Sequence, residues 1–214
     1  MRFREFVVKY PHCYHLTAAG AWPHLRQHGL LSTSRVLEQH GRGDDPAGSQ
    51  HRAAGVRLEG TDQLPTVLVR DQIPLSLAQL PGVLTDMTSE EWLRTLNSRV
   101  FFFVRRDDAL ALSKARAYRT QEHELVTVTT RSLVNACASR VQLAHLTTGT
   151  VQRASGKRGS DTFQSIDTYA GTMSSVKELT VLDGVVPLLP HVARVETVSE
   201  GQVTGMLYEP DDEA

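Results

Sequence analysis

"CYHLTAAGAWPHLRQHGLLST", Cys13 to Thr33, is the stretch on which the fold turns. Its first residues read as a short strand, "CYHLT", and the remainder, "AAGAWPHLRQHGLL", as a helix. Proline is tolerated only in a first helical turn, where its missing N–H has no partner to lose, so Pro23 puts the helix start near Gly20 to Trp22. Gly29 supplies the C-cap that stops it. The buried stripe takes in Trp22, Leu25 and Leu30. Residues two apart on a strand share a face, so His15 and Thr17 point the same way where the strand hands over to the helix. Open sheets bind ligands at such strand ends. Two polar side chains there can hydrogen-bond one polar ligand; His15 reads equally as a histidine of the core.

Upstream, Phe3, Phe6, Val7, Val8 and Tyr10 make a mixed segment that docks on the domain edge. Downstream, the run around His40, "QHGRGDDPAGSQHRAAG" from Gln39 to Gly55, is a Gly-, Asp-, His- and Ser-rich loop, expected to be mobile. The β-branched run Thr66 to Val69 delivers Arg70 and Asp71 at its end. "TSEEWLRTLNSR" carries a capping box, Thr88 with Glu91 three residues on, ahead of a helix with Trp92, Leu93 and Leu96 on its apolar side. "VFFFV", Val100 to Val104, reads as a strand buried on both faces. A helix follows from "DDALALSKARAY", then a strand "ELVTVTT" with outward-facing Thr. After the polar stretch "TGTVQRASGKRGSD" come the strand "VKELTVLDGV" and a last strand, "HVARVETV". Strands predominate, with helices packed early. No repeat and no second hydrophobic centre occurs, so the pattern is one α+β domain over residues 1–214.

Composition narrows the function classes. The chain has 214 residues, 40% of them hydrophobic, and a net charge of −1. That length buries a core without disulfides. No apolar run reaches the roughly 18 residues of a membrane span, and "MRFREFVVKYPH" is too charged for a signal peptide, so a cytoplasmic protein with no membrane partner is expected. Cys13 and Cys137 form no CxxC pair and read as reduced, partly buried thiols. The near-neutral charge argues against a surface coated in phosphate contacts. Locally, though, Lys and Arg outnumber Asp between Arg99 and Arg119.

The chemistry-bearing residues are few. Glu178 sits among apolar neighbours in a strand, so it either faces solvent or lines a cleft. His12, His15, His24 and His28 invite a metal reading, since His24 and His28 fall one helical turn apart; no carboxylate stands in the segment and HExxH is absent, so no metal is expected. GxGxxG, GxxxxGK[ST] and GxSxG are absent as well. Arg153, Lys157 and Arg158 in the Gly-rich stretch suit an anion or a nucleic-acid strand, or belong to a plain surface loop.

Taken in order, "YHLT" with its helix ending in "HGLL", then "RVFFFVRRDDALALSKARAY", then "VKELTV", resemble the ADP-ribosyltransferase superfamily, most closely the DarT-type DNA ADP-ribosyltransferases. RNA 2'-phosphotransferases are more distant relatives, and the chain also looks like a bacterial family without assigned function. The resemblance implies a split antiparallel sheet core with flanking helices and an NAD-dependent pentosyltransferase. NAD would be the co-substrate, a base of DNA or RNA the acceptor, and an antitoxin or ADP-ribosyl hydrolase a partner of such a toxin. By the same resemblance His15 and Thr17 hold the NAD ribose and nicotinamide region. Glu178 binds the nicotinamide ribose 2'-hydroxyl and stabilises positive charge as the glycosidic bond breaks. Arg70 contacts the diphosphate, Tyr118 stacks on nicotinamide or turns into the core, and Arg153, Lys157 and Arg158 lie in the target-recognition loop. The chain lacks a Ser-x-Ser strand and has Val176 two residues before Glu178, which argues against an arginine-modifying toxin. Two alternatives stand beside this reading: a non-catalytic nucleotide- or nucleic-acid-binding module of the same fold, and an RNA 2'-phosphotransferase drawing on Arg52, Arg70, Arg99 and Arg158.

Overall fold

A computed structural model describes residues 2–62, 64–151 and 156–210. The opening segment is a helix, α1 (Arg2–Lys9), with Phe6 and Val7 buried. Strand β1 (His12–Ala18) leads into α2 (Trp22–His28), with Pro23 in its first turn and Gly29 at its C-cap. Gly29 has φ +83°, a conformation glycine adopts without steric cost. Then come β2 (Leu30–Leu31) and α3 (Thr33–Gln39), whose cap is Ser32: its Oγ accepts from the Arg35 amide. A short antiparallel pair follows, β3 (Val56–Leu58) with β4 (Val67–Val69). The Thr88–Glu91 capping box opens α4 (Ser89–Asn97), and β5 (Arg99–Phe103) and α5 (Arg106–Lys114) succeed it. Strand β6 (Glu122–Thr129), α6 (Thr130–Ala136), β7 (Val141–Ala144), β8 (Glu178–Leu182), β9 (Gly184–Val185), β10 (Val192–Ser199) and β11 (Gln202–Tyr208) complete the chain.

Seven strands form one antiparallel sheet in the order β11-β10-β6-β1-β5-β8-β7, and β2 pairs with β9 apart from it. The sheet is α+β and antiparallel, with helices on both faces. "HVARVETV" is not the last strand: β11 follows as its hairpin partner and becomes the sheet edge. Their two-residue turn, Glu200-Gly201, has both φ values positive, as a type I′ hairpin turn requires, but lacks the Asn-Gly or Asp-Gly that signals one from sequence.

Register fixes which side chains share a face. Cys13, His15 and Thr17 lie on the face with Phe102, Val126 and Leu179, under α1, α2 and α6. Tyr14, Leu16, Phe101, Phe103 and Glu178 lie on the other. That second face has two covers. Ala109, Leu110 and Leu112 of α5 pack on Leu16, Leu125 and Val198. Trp92, Leu93 and Leu96 of α4 pack with Phe163, Phe101 and Ala144. Phe103 belongs to the first cover and Phe101 to the second, so the seam runs along β5. Because both faces are covered, Thr127 of "ELVTVTT" is buried rather than outward-facing. The run from His40 is also more tied than a free loop: the buried Arg52 donates to the Ala47 and Arg70 carbonyls and to Asn97 Oδ1, joining it to β4 and α4. No described helix is long and apolar enough to cross a membrane.

Candidate functional site

Strands β1 and β5 share one ladder pair among the described residues, Tyr14 with Phe103, and part beyond it. His15 is the first residue past that point. Its Nδ1 lies 2.8 Å from the Phe101 carbonyl oxygen, so the imidazole bridges the ladder where it opens. A carbonyl only accepts, so Nδ1 carries the hydrogen and Nε2 is left as an acceptor. Burial pushes the His15 pKa down to about 4, the Phe101 hydrogen bond opposing it and the Arg70 charge adding to it. The ring is therefore neutral at physiological pH. Its Nε2 and the Thr17 hydroxyl have no hydrogen-bond partner among the described residues. Opposite Thr17 stands Glu124, 3% exposed. Its two oxygens accept from the Gly20 and Trp22 amides at 2.6 Å each, fastening the turn into α2. That carboxylate occupies the amides at the start of α2, so they are not offered to a phosphate.

Arg70 follows β4 directly and reaches the same opening. Its Nη1 donates to the Leu16 carbonyl at 3.3 Å, and its guanidinium carbon lies 4.1 Å from the centre of the Tyr118 ring. The other terminal nitrogen, Nη2, is buried without a partner among the described residues. Asp71, next in the chain, does not pair with Arg70; its Oδ1 accepts from the Tyr118 hydroxyl at 2.7 Å and from the Ile73 amide at 3.0 Å. Burial and that hydrogen bond push the Tyr118 phenol up. His123, 1% exposed, donates from Nε2 to the Tyr118 carbonyl and meets the Tyr118 ring edge-on. Tyr118 is thus inside the protein, with Arg70 against its face.

Glu178 opens β8, in the row Tyr14–Phe103–Glu178 across the sheet. At a strand spacing of about 4.8 Å, its backbone lies about 10 Å from that of Tyr14. It is 3% exposed, and its Oε2 accepts from the Thr148 amide at 3.1 Å and the Thr148 hydroxyl at 2.7 Å. Burial pushes its pKa up to about 7, against the Thr148 bonds and the Arg158 charge, which favour the carboxylate. Arg158 braces the same loop from within, donating to the Gly156 and Thr147 carbonyls at 2.7 and 3.3 Å.

The fold therefore gathers His15, Thr17, Arg70 and Tyr118 around the β1–β5 opening, and sets Glu178 on the opposite face from His15 and Thr17, with Thr148 and Arg158 beside it. Of the basic loop residues, Arg158 turns inward rather than toward a nucleic acid, Lys157 is exposed and donates to the Gly82 carbonyl, and Arg153 lies outside the described residues. The Arg99–Arg119 segment does not form one basic face. Arg99 is buried against the Phe163 ring and Arg106 pairs with Glu196, leaving Lys114, Arg116 and Arg119 exposed. Arg52 lies next to Arg70, but Arg99 and Arg158 belong to other parts of the molecule, so the four do not form one cluster. His24 and His28 stack at 4.8 Å and, with His40, line a small cavity. No group of three His, Cys, Asp or Glu among the described residues is disposed to hold a metal. Asp71, Glu124 and Thr148 carry no motif in the sequence and matter through partners far along the chain, while His123 acts on Tyr118 from nearby in the sequence.

No curated protein matches the chain. A family model, described as a family of unknown function (DUF7002), matches residues 11–192, from the residue before β1 to the first residue of β10. Every side chain gathered at the opening, and Glu178 with it, falls inside that match, and the chain belongs to this family of unknown function, DUF7002.

Proposed function

We propose that the protein is an NAD-dependent ADP-ribosyltransferase that modifies a base of DNA or RNA. The observation that carries the reading is Arg70, a guanidinium that among the described residues has one buried, unpartnered nitrogen and no carboxylate partner, beside the free Nε2 acceptor of His15. A guanidinium nitrogen buried without an acceptor is costly unless a ligand supplies one, and a dinucleotide diphosphate supplies such acceptors. The neutral His15 and the Thr17 hydroxyl then meet ribose hydroxyls or the nicotinamide amide. Breaking the nicotinamide bond leaves an oxocarbenium-like ribose, which a carboxylate stabilises electrostatically. Glu178 is the acid of this reaction; with Thr148 on Oε2, its Oε1 has no partner among the described residues. Glu178 lies on the sheet face opposite His15 and Thr17 and beneath Thr148, so a ribose held by those two reaches it only across the β1–β5 opening and once the Thr148 loop yields.

The test is incubation of wild type and Glu178→Gln with labelled NAD and separate pools of single-stranded DNA, duplex DNA, RNA and protein. Label on a nucleic-acid pool that falls 100-fold or more in the variant is expected, roughly the cost of removing one such electrostatic group. No nicotinamide release from the wild type refutes the reading. The covering of Glu178 favours a second one, a non-catalytic nucleotide-binding module, in which both proteins bind NAD alike and neither releases nicotinamide.

A further inference from the structure

We infer that Tyr118 and Asp71 are positioning residues for Arg70, acting together to keep its charge open for an anion; this rests on Arg70 as the diphosphate contact proposed above. An arginine followed in sequence by an aspartate, both half-buried, has an obvious internal counter-ion. It is not used here. Asp71 Oδ1 is taken by the Tyr118 hydroxyl and the Ile73 amide. The same tyrosine presents its ring to the guanidinium at 4.1 Å. One side chain therefore does two things: its hydroxyl withdraws the competing carboxylate, and its face replaces it with a weaker, non-neutralising cation–π contact. The remaining tethers locate Arg70 without neutralising it. Nη1 meets the Leu16 carbonyl and the Arg70 carbonyl accepts from Arg52 Nε, both neutral acceptors. His123 holds the tyrosine from behind, also through a carbonyl. An arginine with a purely structural task would gain by pairing with Asp71, because a half-buried charge is stabilised by a neighbouring counter-ion. The arrangement instead leaves Nη2 shielded from solvent and without a hydrogen-bond partner among the described residues.

The pair separates by substitution. Tyr118→Phe keeps the ring but releases Asp71 to pair with Arg70, so anion binding should weaken on the order of tenfold, the loss of one charge-assisted contact. Asp71→Asn removes the competitor while leaving an oxygen for the phenol, and should bind at least as tightly as wild type. In Tyr118→Phe/Asp71→Asn the released side chain is uncharged, and affinity should return to within about threefold of wild type, a coupling that a simple packing defect does not produce. The measurement is calorimetric titration of the full chain with NAD and, separately, with inorganic pyrophosphate, each variant first checked by its thermal melt. Equal affinity of Tyr118→Phe and wild type, failure of the double variant to recover, or no binding of either probe by the wild type overturns the inference. If pyrophosphate follows the expected order and NAD does not bind, the positioning pair stands and the dinucleotide reading falls.

Discussion

Glu178→Gln should make the protein more stable above neutral pH and leave it nearly unchanged in acid. The side chain is 3% exposed, and burial holds its pKa at about 7 rather than 4.5. Below pH 4.5 the carboxyl is protonated in both folded and unfolded chains, so no proton is exchanged on unfolding. Between 4.5 and 7 the unfolded chain has released its proton while the folded one keeps it. The folded state then binds more protons, and stability falls as pH rises. A shift of about 2.5 units at 1.36 kcal/mol each amounts to about 3 kcal/mol, fully lost just above pH 7 and constant beyond. Glutamine does not titrate, so the variant's advantage should grow from near zero at pH 4 to about 3 kcal/mol at pH 8. Histidines contribute equally to both proteins; His15, with its lowered pKa, makes each less stable as pH falls below 6.5, and this cancels in the difference. The assay is urea unfolding followed by circular dichroism at several pH values, read as the shift in midpoint at constant slope. A companion, Thr148→Val, deletes the hydroxyl that favours the carboxylate and should carry the wild-type decline to higher pH. A difference that is flat across pH, or a variant less stable than wild type at pH 8, would refute the claim that the fold holds Glu178 at a cost. Such a cost is common where a group is kept for chemistry rather than for stability.

Substitutions at two further positions probe the scaffold around the opening. Glu124→Ala strips the acceptor from the Gly20 and Trp22 amides and should lower stability by about 3 kcal/mol in urea unfolding, whereas Glu124→Gln retains one acceptor and should lose clearly less. Gly29→Ala puts a Cβ 2.6 Å from the Val185 carbonyl oxygen at a φ of +83°, and a loss of about 2 kcal/mol, seen as a lower Tm, is expected; an unchanged Tm would mean that the contact between the α2 C-cap and β9 is loose.

The residues at the opening show where sequence reasoning reaches and where it stops. His15 and Thr17 are legible because the strand-to-helix handover is marked locally by Pro23 and Gly29. Arg70 is legible as a basic residue at a strand end, but not as an unpaired one: the adjacent Asp71 suggests a salt bridge, and only Tyr118, brought back by the turn after α5, explains its absence. Arg158 misleads in the other direction. In a Gly- and Ser-rich stretch it reads as a surface cation, yet the carbonyls of its own loop draw it inside. Glu178 stands out as an acid among apolar neighbours, but the alternation of its strand says nothing of what covers it.

Features set within a few residues of one another are written locally in the chain. Pro23 and Gly29 bound α2, Thr88 and Glu91 cap α4, and the apolar run Val100–Val104 makes the strand β5 that ends in Phe103 at the row of Glu178. These follow from backbone geometry and from periodicity, which act over one turn or one strand. Long-range packing sets the rest: that β1 and β5 part after Tyr14, that β11 extends the sheet, that Thr148 closes over Glu178, and that Tyr118 takes Asp71 away from Arg70. Each depends on which distant segments share a dry interior, where an unpaired charge or amide costs enough to choose its partner.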